Sequence, residues 1–185
     1  ICKEVLDEER NIRMSVSMTT RMPRKGEIDK VHYHFVDQQS FEQLIEDGGF
    51  MEYANVYGNF YGTPKKNVME WLEQGIDVIL EIDVQGALQV KKSYPEGVFI
   101  FILPPSIEEL KNRIKSRGSE TEETMARRLG TALSEISSID QYDYRVINEE
   151  LDVAINRVRA IITAEQCKLN DIEVDNIVSR YKEEL

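Results

Sequence analysis

Arg21 and Arg24 stand three apart with Pro23 between them, inside the stretch SVSMTTRMPRKGEIDKVHYHF from Ser15 to Phe35. Pro fixes its own φ and biases Met22 towards extended geometry, so the backbone there is stiff. Two planar, permanently charged forks on a rigid loop suit an oxyanion such as a phosphate. On spacing alone the same residues also fit a hairpin with solvated arginines. Glu81 and Asp83 are a second pair, two apart at the end of the apolar run Ile76 to Asp83 (IDVILEID). Residues two apart on a strand share a face, and open parallel sheets hold ligands at the carboxyl ends of their strands. Val78-Ile79-Leu80 ahead of these acids is similar to a Walker-B arrangement, where an acid supports Mg²⁺ directly or through water. Arg113 and Arg117 are four apart, on one face of a predicted helix, and Arg128 follows an acidic loop. No arrangement for a His, Ser or Cys nucleophile is visible.

The elements that must hold these groups can be read in order. Ile1 to Glu9 has the spacing of a helix end. Ser15 to Thr20 alternates like a strand, and Val31 to Val36 alternates again, which predicts a hairpin with a returning strand. A helix is expected from Ser40, with Gln43 at the capping-box position and Phe41, Leu44 and Ile45 as its stripe. Gly48-Gly49 should stop it. Phe50 to Val56 reads as a strand carrying Glu52, and Gly58 to Thr63 as a glycine-framed turn. Thr63 is expected to cap a helix with Pro64 at its first position and Val68, Trp71 and Leu72 buried. Ile76 to Asp83 and Val98 to Leu103 read as parallel strands buried on both faces, with a helix over Val84 to Tyr94 between them. Ser106 and Glu109 form a capping box for a helix with the stripe Ile107, Leu110 and Ile114, ended by Gly118. Ser119 to Thr124 reads as a polar loop, followed by a helical stripe from Met125 to Ile136. A short strand over Tyr144 to Ile147 ends at Asn148. A long helix with Leu151, Ala154, Ile155, Val158 and Ile162 follows, then a weaker amphipathic tail with Leu169, Ile172, Ile177 and Tyr181.

Composition narrows the class. The 185 residues suffice for one α/β domain with small inserted lobes. The formal net charge of −11 argues against a general nucleic-acid binder or a protein drawn to anionic lipid. Any phosphate site must then be a local cluster of arginines in an acidic body. Cys2 and Cys167 lie far apart and in no metal-ligand spacing, which fits a reduced cytoplasmic setting with both thiols structural. His32 and His34 flank Tyr33 without a third ligand and read as strand residues. No apolar run is long enough to span a membrane.

Four pieces carry a resemblance. SVSMTTRMPRKGE with the following Tyr33, GNFYGT at Gly58 to Thr63, EIDVQGA at Glu81 to Ala87 and RGSETEE at Arg117 to Glu123 resemble the guanylate kinases, in the family's order and over most of the chain. The resemblance implies a three-layer parallel-sheet α/β fold of the P-loop nucleoside-monophosphate kinase kind. A small mixed α/β GMP-binding lobe would span 15–74 and a helical lid 107–131, with the core in 1–14, 75–106 and 132–185. The implied reaction passes the γ-phosphoryl of Mg-ATP to GMP, giving ADP and GDP, in a cytoplasmic monomer or homo-oligomer that binds neither nucleic acid nor membrane.

Guanine offers N–H donors on one edge and acceptors on another, so a reader of it wants carboxylates for the first and hydroxyls for the second. By resemblance Glu52, Asp83, Ser17 and Thr63 match the family's base contacts. Ser17 as a plain strand hydroxyl and Thr63 as a plain helix cap remain open. Arg21, Arg24, Tyr33 and Tyr61 match the monophosphate contacts, with Glu27 orienting the arginines. Arg113, Arg117 and Arg128 match the catalytic lid arginines, the first two also on the ATP side. Arg127 reads as solvated. Asn148 matches a position near the adenine, against a turn-forming role. Glu81 is the candidate for the metal side and Asp83 for the base. Many guanylate kinases have Asp where Glu81 stands.

Two departures accompany the resemblance. The family's phosphate-binding loop, G-x-x-x-x-G-K-[ST], does not occur in these residues. Ile1 aligns with the residue after that loop, so a real N-terminal segment with the loop and a central first strand is expected upstream. The residues present are expected to hold GMP but not, by themselves, to transfer phosphoryl to it. Lys30 stands where a Gly is common. The rival reading is a non-catalytic guanylate-kinase-like binding module, which would tend to lose the lid and base-reading residues.

Overall fold

The computed structural model describes residues 1–8, 11–116, 122–169 and 171–184. Helix α1 (Cys2–Glu8) leads into strand β1 (Ile12–Met14), which pairs in parallel with β6 (Asp77–Ile79), Ile12 opposite Asp77 and Met14 opposite Ile79. A second parallel pair joins β7 (Ile100–Leu103) to β8 (Tyr144–Ile147). Apolar residues leave these strands on both sides. On one side Ile79 and Ile100 pack on a core of Val5, Val146, Ala154, Ile155 and Val158, contributed by α1, β8 and α7 (Leu151–Gln166). On the other, Val78, Leu80 and Ile82 pack on Met51, Val68, Ala87, Val90 and Phe99. Those come largely from β4 (Phe50–Val56), α3 (Lys65–Glu73) and α4 (Val84–Ser93). Helices on both faces of parallel strands make the three layers of an α/β fold. The long apolar runs announce this two-sided burial. They do not say which strand bonds to which, and β6 and β7 sit in separate two-stranded pairs.

The lobe inserted after β1 holds a four-stranded sheet of order β3-β2-β5-β4. Here β2 is Met18–Thr19, β3 is His34–Phe35 and β5 is Asn59–Pro64. The expected hairpin is not formed: β2 and β3 run parallel, and the antiparallel partner of β2 is β5. Alternation fixes which face a residue takes, not strand direction. The connection is also far longer than a two-residue turn and can return the chain to a parallel start. His32 is accordingly in a turn, where its Nδ1 accepts the Ile28 N–H at 3.0 Å. Helix α2 (Gln38–Glu46) starts two residues before Ser40, and its cap is Asp37, whose carboxylate accepts the Ser40 N–H at 2.8 Å. Asp37 is an equally good cap one turn earlier, and the apolar stripe does not mark which of the two is used. Phe41 of α2 is fully buried, stacked on Phe50 and Phe60 at 4.4 and 5.4 Å.

Residues 59–64 are strand, and the glycine-framed turn shrinks to Tyr57-Gly58, with φ of 51° and 84°. Both central residues left-handed is the type I′ geometry that suits a two-residue hairpin. Thr63 does not cap α3. Pro64 precedes the helix with no side-chain cap, and Leu72 is exposed. The side chain of Thr63 is taken by a partner across the sheet, described below. Ser106 Oγ does accept the Glu109 N–H at 3.1 Å at the start of α5 (Ile107–Ser116), but Glu109 turns its carboxylate to Arg113 rather than closing the box. Helix α6 (Glu122–Ile136) begins within the predicted polar loop; Gly118 and residues 119–121 lie outside the described residues. After α7, helix α8 (Asp171–Glu183) carries exposed Val174, Ile177, Val178 and Tyr181. Cys2 is half-buried and Cys167 exposed, neither bridged. Among the described residues no helix is long and apolar enough to cross a membrane.

Candidate active site

The loop after β2 is shaped by Glu27. Its carboxylate accepts from Arg21 Nη1 and Nη2 at 3.0 and 2.9 Å, a two-pronged ion pair, and from the Arg24 backbone N–H at 2.6 Å. The Arg21 hydrogen bonds, then the Arg24 N–H, hold the Glu27 carboxyl down at about 2. Nε of Arg21 also donates to the Tyr61 hydroxyl at 3.1 Å. Its guanidinium lies 5.5 Å from the Tyr33 ring, and Tyr33 and Tyr61 meet edge to face at 5.9 Å. Burial raises the Tyr33 hydroxyl above its ordinary pKa, with Tyr61 as the next cause. The orienting role expected of Glu27 is therefore visible in bonds. Arg21, Arg24 and Tyr61 line one wall of a cleft whose opposite wall is Thr124, Arg127 and Arg128 of α6.

A second group gathers where β4, β5 and α4 meet. Glu52 and Thr63 are cross-strand partners, and the Thr63 hydroxyl donates to Glu52 Oε1 at 2.7 Å. Both are buried. Asp83 caps α4, its carboxylate accepting the Gly86 N–H at 2.8 Å. Gly86 abuts Glu52 so closely that a Cβ there would stand 2.5 Å from Oε2. Burial pushes the Glu52 carboxyl up, with the Asp83 charge adding after the opposing Thr63 bond. Glu81 and Asp83 do not ride on a strand as expected. β6 ends at Ile79, Glu81 is exposed in the following segment, and Asp83 is already a helix cap. The acids end the strand run because the chain turns into α4 there, so a two-residue period no longer fixes their facing. Ser17 is half-buried beside this lobe, its carbonyl accepting the His34 N–H at 2.9 Å.

A third group lies at the end of β8. Arg113 donates from Nε to Glu109 at 2.7 Å and from Nη2 to the Asn148 carbonyl at 2.9 Å. Arg113, Asn148 and Arg128 line a cavity with Leu103, Pro104 and Ile114. Arg128 thus borders both this cavity and the cleft of Arg21 and Arg24. Arg117 lies outside the described residues. Among the described residues no three His, Cys, Asp or Glu side chains gather as a metal cage. Mg²⁺ does not require one, because it is commonly held by one or two carboxylates together with substrate phosphates and water. The exposed carboxylate of Glu81 fits that mode.

Four residues of these sites escaped the sequence reading. Gly86 had a signal: a glycine in the first turn of a helix costs about 1 kcal/mol against Ala and points to a close approach. Arg127 is exposed, as expected, and its guanidinium also lies over the Tyr57 ring, 4.7 Å from the centroid. A contact spanning 70 positions leaves no local mark on either residue. Burial raises the Glu135 carboxyl, with Asp83 as second cause, so a further acid of α6 neighbours the group of Glu52 and Asp83.

Known proteins similar to this chain give its family. A family model described as guanylate kinase matches residues 1–165. The chain is 51% identical over 185 residues to the guanylate kinase of Clostridioides difficile, covering 100% of this chain and 90% of that one. With the guanylate kinase of Caldanaerobacter subterraneus subsp. tengcongensis it shares 51% over 170 residues, 92% of this chain and 82% of that one. Among solved structures, a guanylate kinase from Anaplasma phagocytophilum superposes with a TM-score of 0.77 at 40% identity, over 90% of this chain and 80% of that one.

Proposed function

Because the chain belongs to the guanylate kinase family, we propose that it carries the transfer of the γ-phosphoryl of ATP to GMP, with GDP and ADP as products. In that reaction an oxygen of the GMP phosphate attacks the γ-phosphorus, and the bond to the β–γ bridging oxygen breaks. The protein's part in such a transfer is positioning and neutralising charge, since little covalent chemistry is left to it. The observation that carries the reading is the position of Arg128, which borders both the Arg21–Arg24 cleft and the Arg113–Asn148 cavity. A cation on that shared rim suits a phosphoryl group passing from one side to the other.

The residue roles follow as proposals. Arg21, Arg24, Tyr33 and Tyr61 hold the GMP phosphate, with Glu27 fixing Arg21. Glu52 and Asp83 accept from the guanine N–H groups, and Ser17 and Thr63 face its acceptors. Thr63 also orients Glu52, which its hydrogen bond supports. Arg113, Arg117 and Arg128 neutralise the moving phosphoryl, and Arg113 and Asn148 border the ATP side. Glu81 is the residue that would hold Mg²⁺, which when bound to the nucleotide phosphates withdraws charge from the transferring group. In domain terms 15–74 forms the GMP-binding lobe, 107–131 the lid and the remainder the core. A cytoplasmic monomer or homo-oligomer completes the proposal, with no nucleic-acid or membrane partner, and it is this last part that the net charge of −11 supports. The residues a non-catalytic module would dispense with, Glu52, Asp83, Arg113, Arg117 and Arg128, are all present.

A coupled ADP-release assay on the full-length protein with GMP, AMP, UMP and CMP tests the reading. Turnover with GMP well above the other three is expected. No turnover with GMP, or equal rates with AMP, would overturn it.

A further inference from the structure

Tyr57 has a backbone that does not suit it. Its φ is 51°, a left-handed conformation that Gly, Asn and Asp take readily and a bulky aromatic does not. Gly58, the other central residue of the turn, has the φ of 84° that a glycine accepts without cost, and Asn55 Oδ1 pins it by accepting the Gly58 N–H at 3.0 Å. A strained position held by its surroundings is a place to look for a use. The Tyr57 ring meets the Arg127 guanidinium at 4.7 Å from its centroid, across from the turn of the monophosphate lobe to α6.

The electrical setting makes that contact informative. Arg21, Arg24, Arg127 and Arg128 line one cleft. Arg21 is compensated by Glu27. A carboxylate facing Arg127 from the far wall would compete with a phosphate for the arginines of the cleft. An aromatic face attracts a guanidinium through its quadrupole and brings no negative charge into the cleft. Arg127 and Arg128 are neighbours on α6, so their side chains leave the helix about 100° apart. Fixing Arg127 on the Tyr57 ring therefore fixes how α6 is turned, and with it where Arg128 stands.

We propose that Tyr57 and Arg127 form a latch across the cleft that sets the rotation of α6 and so the aim of Arg128. Arg127 is a positioning residue and does not itself take phosphate. The aim of Arg128 rests on the function proposed above. The latch as a contact between the lobe and α6 does not.

Two readouts separate these. In the first, spin labels are attached at Lys66→Cys and Ser134→Cys, both exposed positions, in the full-length protein with Cys2 and Cys167 replaced by Ser. Without nucleotide, a narrow distance distribution is expected, broadened by Tyr57→Leu and by Arg127→Gln and left narrow by Tyr57→Phe. Distributions unchanged by Tyr57→Leu and Arg127→Gln would overturn the latch whatever the enzyme does. In the second, kcat for GMP should fall roughly 3- to 10-fold in Tyr57→Leu and in Arg127→Gln, with KM for GMP little changed. The double variant should fall no further than either single one, and Tyr57→Phe should recover most of the loss. Additive losses, or a loss in Arg127→Gln far beyond that in Tyr57→Leu, would make Arg127 a direct phosphate ligand and sink the positioning role. If the wild type gives no ADP with GMP, the functional reading fails, and the distance measurement still decides the latch.

Discussion

Thr63 and Glu52 face each other across β5 and β4, and the Thr63 hydroxyl holds Glu52 Oε1 at 2.7 Å in the interior. One hydroxyl is a small return for burying a carboxylate. Burial raises the Glu52 pKa, and the nearby Asp83 charge adds to it. For an acid raised in the fold, the stabilising contribution is present below the unfolded pKa and is lost as pH rises through the folded one. At neutral pH the ionised Glu52 therefore costs stability. Glu52→Gln removes that cost, and its amide oxygen still accepts from Thr63. Its Tm at pH 7 should exceed that of the wild type, the gain fading as pH falls through the raised Glu52 pKa. GMP binding should move the opposite way, losing roughly 1–3 kcal/mol because an N–H donor then faces guanine's own donors. Thermal unfolding across pH 4–8 and GMP calorimetry check both signs. A variant that is less stable at pH 7 and binds GMP as the wild type does would remove Glu52 from the role.

Gly86 tests the same pocket from the other side. A methyl group there would stand 2.5 Å from Glu52 Oε2, and Oε1 is already tied to Thr63, so the carboxylate cannot simply swing away. Ala is the better helix former by about 1 kcal/mol. Gly86→Ala is expected to displace Glu52, weaken GMP binding about tenfold or more and leave Tm nearly unchanged, since helix propensity and crowding oppose each other. Calorimetry with GMP and a melting curve are sufficient. Undiminished GMP affinity would show that Glu52 moves without consequence.

These two residues also show what a sequence reading reaches. The acids, arginines and tyrosines of the candidate site could be singled out, because their types and order suit the chemistry proposed. The layered α/β arrangement could be found, because two-sided burial writes long apolar runs at Ile76 to Asp83 and Val98 to Leu103. What stayed hidden depends on partners distant in sequence. Thr63 reads as a helix cap because a cap is local, whereas its hydroxyl serves Glu52 across the sheet. β2 reads as half of a hairpin because alternation gives no strand direction, and its antiparallel partner is β5. Arg127 is exposed as it reads, but nothing near it in sequence announces its contact with Tyr57.

Lys30 is a small flaw in the lobe inserted after β1. Its φ is 63°, and its N–H donates to the Tyr33 carbonyl at 2.8 Å, so the left-handed turn is held in place. A non-glycine residue pays roughly 1–2 kcal/mol there. Glycine relieves this and gives back part of it through a freer unfolded chain. Lys30→Gly should stabilise by about 0.5–1 kcal/mol, raising Tm by about 1–4 °C for a chain of this size. Urea unfolding provides the check. A destabilised variant would mean the Lys30 side chain makes a contact worth more than the strain.

Arg128 differs from the loop arginines in its place. Arg21 is bound to Glu27 and Tyr61 within the lobe, while Arg128 comes from α6 and borders both cavities. In the proposed reaction a cation on the rim meets the phosphoryl group mainly in transit, when charge spreads over its oxygens, and meets the resting GMP less. Interactions stronger in the transition state than in the ground state raise kcat without tightening substrate binding. Arg128→Ala in the full-length protein should then lower kcat on the order of 10²-fold or more, with GMP affinity kept within about threefold. Arg21→Ala should show the reverse emphasis, losing GMP affinity first, because its fork is already aimed into the lobe by Glu27. Steady-state kinetics paired with GMP calorimetry separate the two. Equal losses of affinity and turnover in Arg128→Ala would make it another ground-state ligand of the monophosphate, and the shared rim would lose its catalytic meaning.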